Sequence, residues 1–252
     1  MERSFGSVNR VLADADVTRI LVITAHPDDV DFGVAGSVAR WTSEGVDVAY
    51  CVVTDGDAGG FDEDFPRADV PALRRAEQVD AARVVGVTDV TFLGYPDGRL
   101  ETTIALRRDL SRVIRRVRPH RVVCQSPQRL WTRLFASHPD HLAAGEAALC
   151  AVYPDSRNPF AHPELAAEGF EAWTVDQVWL MAHESANRYF DVTATVDRKV
   201  KALLCHASQM REPAAMEDRI RAWTAANAAE GGLPTGTLAE AFFAIDTAEG
   251  PG

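Results

Sequence analysis

The sequence has only four cysteines in 252 residues, at positions 51, 124, 150 and 205, and no two form a C-x-x-C pair. That excludes a disulfide framework or a cysteine zinc site as the organising device. Reduced thiols are expected instead, with Cys51 and Cys124 buried inside apolar runs. No apolar stretch approaches the length that spans a bilayer, and the opening MERSFGSVNRVLADADVTR carries acidic residues rather than a signal-like apolar core. Basic residues are outnumbered, 26 Lys and Arg against 37 Asp and Glu, for a net charge of −11 without any basic block. Neither nucleic acid nor an anionic membrane surface is therefore an expected partner, and a cytoplasmic location follows. Internal repeats and low-complexity segments are missing too. What remains is 46% hydrophobic and 25% charged residues, enough for one large core. A single domain over 1–252 is expected, with its core at about 19–153 and a C-terminal part at about 154–252.

Short apolar runs alternate with amphipathic stretches through the first half. Residues 20–24, 46–54, 90–93 and 121–125 read as strands of the buried kind. Between them, helices are expected from Gly33 to Trp41, from Pro71 to Val87 and from Leu106 to Val117. Further on, a helix is expected over 139–152, strands over 175–182 and 190–195, and a helix over 196–209. A helix with a glycine-rich loop over 213–236 and a last short strand over 239–245 complete the pattern, and the tail is expected to fray. Strand–helix alternation with short connections predicts an α/β, Rossmann-like fold. Its sheet is mostly parallel with helices on both faces, plus smaller C-terminal strands and helices.

In such sheets ligands bind beyond the carboxyl ends of the strands. His26-Pro27-Asp28-Asp29 follows the first strand, Asp55-Gly56 the second and Asp97 the third, so polar residues gather at one rim. A second segment, His138-Pro139-Asp140-His141, repeats the histidine–proline–aspartate order. Either segment alone could serve as a helix cap, although two histidines add little to capping. Together they offer nitrogen and oxygen donors at helical spacing, and two histidines with one carboxylate leave a position open on a tetrahedral zinc. His26, Asp29 and His141 are the expected ligands. Asp28 is then free to act as general base. His138, protonated, would stabilise the oxyanion of an amide's tetrahedral intermediate, and Asp140 could orient a histidine. Zinc is the expected metal, and iron(II) also suits this ligand set.

These segments resemble the PIG-L/LmbE-like N-acetylglucosaminyl deacetylases over about residues 19–210. AHPDD at 25–29 and HPDH at 138–141 resemble that family's paired signatures, TDGDAGG at 54–60 its second-strand loop, and Arg74-Arg75-Ala76-Glu77 its R-x-x-E helix. LGYPDG at 93–98 resembles its third-strand turn, and residues 201–209 its late K-x-x-x-x-H-x-S-Q helix. The resemblance implies zinc-dependent N-deacetylation of a small amino-sugar conjugate, with Arg74 and Asp97 holding substrate hydroxyls or phosphate. Without it, Arg74 reads as an exposed helix charge, Asp97 as a turn residue and His206 as a structural histidine. Mycothiol-type members place a tyrosine two residues before HPDH, where this chain has Ala136, with Phe135, Trp131 and Tyr95 nearby. A conjugate-type amidase on the same scaffold and a metal-binding protein without catalysis are the rival readings. Assembly into a homo-oligomer is left open.

Overall fold

In the computed structural model, which describes residues 12–247, the run after Thr18 is strand β1 (Arg19–Thr24), buried from Ile20 onward. There follow α1 (Asp29–Gly33), α2 (Ala35–Ser43), β2 (Asp47–Thr54), α3 (Val70–Val84), β3 (Asp89–Tyr95), α4 (Ile104–Val117) and β4 (Arg121–Gln125). The rest comprises α5 (Pro139–Cys150), α6 (Pro163–Ala167), β5 (Gln177–Met181), β6 (Arg188–Asp191), α7 (Val196–Leu203), α8 (Pro213–Glu230) and β7 (Ala239–Asp246). All seven strands join one sheet in the order β3-β2-β1-β4-β5-β7-β6. The four pairings among the first five strands in that order are parallel, whereas β7 runs antiparallel to both β5 and β6.

Alternation along β1 explains why both faces carry helices. Leu21 and Ile23 pack with Leu106, Leu110 and Ile114 of α4 and with Ala144, Ala147 and Ala148 of α5. Ile20 and Val22 point the other way, to Val38 and Trp41 of α2 and Ala81 and Ala82 of α3. Each such aliphatic side chain contributes about 1.5–3 kcal/mol through burial. The chain order reverses between β1 and β4, and that switch point opens the crevice in which this class of sheet binds ligands.

The α5 helix lies hard against β4 at Gly145, where a Cβ would stand 2.3 Å from the Gln125 carbonyl oxygen. A backbone oxygen cannot rotate aside. Gly145→Ala is expected to cost about 1–3 kcal/mol by overpacking, more than alanine's helix propensity returns. A thermal melt should show a lower Tm, and an unchanged or higher one contradicts the contact.

Several boundaries differ from expectation. The first helix is split at Val34 (φ −146°, ψ 3°) into α1 and α2, so helical turns begin at Asp29 rather than after Gly33. The strand expected over 190–195 is instead Arg188–Asp191, because the Asp191 carboxylate accepts hydrogen bonds from the Thr193 N–H and hydroxyl and turns the chain. The helix expected over 196–209 stops at Leu203, since His206 leaves helical geometry and turns its ring inward. The last strand does not lie at the sheet's edge: β7 is inserted between β5 and β6. The frayed tail expected from sequence lies outside the described residues. All four cysteines are free, Cys51 and Cys124 buried. Among the described residues no helix is long and apolar enough to cross a membrane.

Candidate metal centre and catalytic residues

Beyond the end of β1, the His26 ring is held between carboxylates. Its Nε2 lies 3.0 Å from Asp97 Oδ1 and 3.2 Å from Asp140 Oδ2. Its Nδ1 therefore faces the opposite side, 3.3 Å from Asp29 Oδ2 and 3.2 Å from His141 Nε2. His141 Nε2 is 3.0 Å from Asp29 Oδ1, and its Nδ1 is 3.3 Å from the Ala136 carbonyl. Each imidazole thus has one nitrogen fixed by an oxygen and the other turned to a shared centre, the usual arrangement of metal-binding histidines. One ligand atom from each of His26, Asp29 and His141 falls within 4.8 Å of the others. Two imidazoles and one carboxylate fit a divalent cation of the zinc type and leave room for a further ligand.

His26, His138 and Asp140 form a second group within the same distance. Asp140, however, is fully buried and accepts hydrogen bonds from the Gly98 N–H (2.6 Å) and Leu100 N–H (3.1 Å). Its carboxylate ties the turn after β3 to α5 and orients His26, and its lone pairs are largely committed. The first group is the better cation site.

Negative charge dominates this rim. Burial opposes a charged His26, but hydrogen bonds to Asp140, Asp29 and Asp97 outweigh it and raise the pKa to about 12. His141 is likewise raised against its burial by Asp29. Asp29 is held well below the usual carboxylate range, the pull of His141 and His26 exceeding the effect of burial. Asp97 is also lowered, because His26 offsets its burial, and Asp140 falls to about 2 for the same reason, helped by Gly98 and Leu100. The imidazoles sit where carboxylates favour a positive charge, which suits a cation as well as a proton.

Asp28 adopts φ 90°, a left-handed conformation uncommon outside glycine. Its N–H donates to Gln78 Oε1 (2.8 Å), and the preceding Pro27 carbonyl accepts from Arg74 Nη2 (2.6 Å). The strained residue is thereby pinned from α3. Its carboxylate lies 3.3 Å from Arg74 Nη2. Burial first, then the neighbouring Asp29, push its pKa up to about 6 against the opposing effect of Arg74.

His138 is the N-cap of α5: its Nδ1 accepts from the Asp140 N–H at 3.2 Å. A histidine thus does cap here, a role the sequence left open beside metal binding. The bond also fixes the tautomer, since an accepting Nδ1 places the proton on Nε2. Burial and then the His26 charge lower its pKa. His138 therefore presents an Nε2–H donor, and burial with the neighbouring His26 charge disfavours the imidazolium that the sequence suggested.

Arg74 is buried rather than an exposed helix charge, and donates to Gly56 O, Pro27 O and Asp28, while Asp97 Oδ2 lies 3.9 Å away. Asp97 joins the same rim, and its N–H is held by Asp57 Oδ1. Among the described residues no aromatic near Ala136 supplies the tyrosine hydroxyl: Tyr95 donates to Asp109, while Trp131 and Phe135 are 79% and 83% exposed. Sequence reasoning missed the support behind Asp28. Gln78 Nε2 donates to Asp31 Oδ2, which also pairs with His206 Nε2 at 2.8 Å, both of the latter fully buried. A glutamine inside a helix carries no signal for such a link.

His206 is structural in this arrangement, as its buried position suggests. Burial disfavours its charge, but Asp31 raises its pKa above the free value. The pair's contribution is therefore complete below the ordinary histidine pKa of about 6.5 and fades as pH rises through the elevated value. His206→Leu leaves Asp31 without that partner and is expected to lose about 3–5 kcal/mol. A denaturant titration showing less than 1 kcal/mol (about) would mean that Asp31 is satisfied elsewhere.

Residues 21–152 match the family described as "PIG-L: GlcNAc-PI de-N-acetylase". The chain is 30% identical over 197 residues to a diacetylchitobiose deacetylase of Thermococcus kodakarensis, covering 78% of this chain and 72% of that protein. It is also 30% identical to a probable N-acetyl-α-D-glucosaminyl L-malate deacetylase of Bacillus anthracis, covering 75% and 80%. Among solved structures, the N,N'-diacetylchitobiose deacetylase of Pyrococcus horikoshii superposes with a TM-score of 0.84 at 27% identity, covering 92% of this chain and 85% of that one.

Proposed function

Because the chain belongs to the PIG-L family of de-N-acetylases, we propose that it hydrolyses the N-acyl amide of a small N-acetylglucosamine-type conjugate with His26, Asp29 and His141 holding a zinc ion. One observation carries this reading: three donors from two distant segments converge, with Asp28 and His138 beside them. Iron(II) satisfies the same donors. When bound, the cation supplies Lewis acidity, drawing the pKa of water toward neutrality and polarising the amide carbonyl.

The chain's own residues do the rest. The Asp28 carboxylate takes a proton from the attacking water and returns it to the amine nitrogen as the C–N bond breaks. A pKa raised to about 6 suits both duties. Arg74 orients Asp28 from behind, with Gln78 fixing its backbone. The Nε2–H of His138 donates to the carbonyl oxygen as negative charge develops there, an interaction whose removal typically costs a hundredfold to a thousandfold (about) in kcat. Asp97, with Arg74, faces the same rim and would receive sugar hydroxyls.

The decisive experiment loads the purified protein with Zn²⁺ and measures acetate and free amine released from N-acetylglucosamine, its inositol and malate conjugates, and diacetylchitobiose. Stoichiometric release from at least one is expected. Tight zinc binding without release from any would favour a metal-binding protein without catalysis.

A further inference from the structure

A cavity of about 500 Å³ opens directly onto Asp29 and His141. Its walls are mostly apolar, built from Phe32, Met181, Met216, Ile220 and Trp223, together with Ala241 of β7. Lys199 and Glu240 also border it, but they are paired at 2.5 Å and leave no net charge. Arg133 and Arg219 stand exposed at the open end. The methyl of an acetyl group is comparable to one water molecule, whose share of liquid volume is about 30 Å³. The space beside the centre is far larger than acetyl requires.

Position decides which part of the substrate fits. The amide carbon carries three groups: an oxygen, the leaving nitrogen and the acyl chain. On the proposed mechanism the oxygen meets His138 and the nitrogen meets Asp28. Neither residue lines this cavity, nor do Arg74 and Asp97. Asp28 and Arg74 lie on the α3 side, with the polar loop after β2, and that polar side is left for the sugar. The acyl substituent is left facing the side of Asp29 and His141, toward α8 and β7.

We infer that this chain is a de-N-acylase for chains longer than acetyl, with the α8–β7 cavity as its acyl site. The inference rests on the hydrolase reading above. In each turnover the water oxygen bonds to the acyl carbon, the C–N bond breaks, and the nitrogen receives the water's proton. The products are a medium-chain carboxylate and the amine as its ammonium, the second proton of the water passing from the acid to the amine.

The test is a series of N-acetyl-, N-butyryl-, N-hexanoyl- and N-octanoyl-glucosamine with the Zn²⁺-loaded protein, scored by amine release. Burial of each methylene is worth about fourfold, so kcat/KM for hexanoyl should exceed that for acetyl by at least about tenfold. Acetyl cleaved best, with rates falling as the chain lengthens, overturns the acyl site and leaves the hydrolase reading intact. Rates unaffected by acyl length but raised by an octyl aglycone give the cavity to the aglycone and equally overturn it. Cleavage of none of the series removes both. Ala241→Phe enlarges a lining side chain and should lower the hexanoyl-to-acetyl ratio by about tenfold; an unchanged ratio in a folded variant contradicts the assignment.

Discussion

Asp28→Asn is expected to keep its divalent cation and lose about a hundredfold or more in kcat, the usual loss of a general base. Asparagine is the right replacement for a backbone reason. Residue 28 sits at φ 90°, a region that asparagine enters far more readily than alanine. Asp28→Ala would mix backbone strain with lost chemistry. The carboxamide oxygen can still accept from Arg74, whose guanidinium lies 3.3 Å away, but it cannot carry a proton from water to nitrogen. Amine release should be measured beside elemental analysis of the same sample. Normal turnover with full metal would remove Asp28 from its role.

His141→Ala should behave in the opposite way, losing the metal first and activity as a consequence. Only His26 and Asp29 then remain of the three donors. The natural readout is thermal: a ligand at about 100 times its Kd stabilises the folded state by about 2.7 kcal/mol. Zinc should raise the Tm of the unmodified protein and leave that of His141→Ala almost unmoved. Elemental analysis after dialysis should find the variant depleted. An equal zinc-induced rise, or full occupancy, takes His141 out of the ligand set. The two variants together separate proton transfer from metal retention.

The parallel half of the fold was readable because apolar runs such as Ile20–Thr24 and Arg121–Gln125 are short, β-branched and bounded by turn residues. The observed β4 occupies the expected residues. Beyond Pro154 the pattern is set by long-range partners. Thr193 ends β6 through a local turn, and His206 breaks the late helix because Asp31, 175 positions earlier, draws it inward. Neither partnership leaves a periodicity to read. At the rim, donor types and spacing suggested the His26, Asp29 and His141 group, but orientation was hidden. The tautomer of His138 depends on the Asp140 N–H, and the burial of Arg74 depends on carbonyls of Pro27 and Gly56. Backbone acceptors are invisible in a list of side chains. Likewise the large apolar space could not be foreseen, since Phe32, Met181 and Trp223 come from three separate elements.

The interior position of β7 bears on how the molecule is made. Until residues 239–246 leave the ribosome, β5 has an unpaired margin and β6 has no neighbour in the sheet. A nascent chain can assemble the histidine rim from segments already synthesised, yet it presents a bare, apolar strand edge, the kind that templates aggregation. Stalled or prematurely ended translation should therefore give insoluble material even when every rim residue is present.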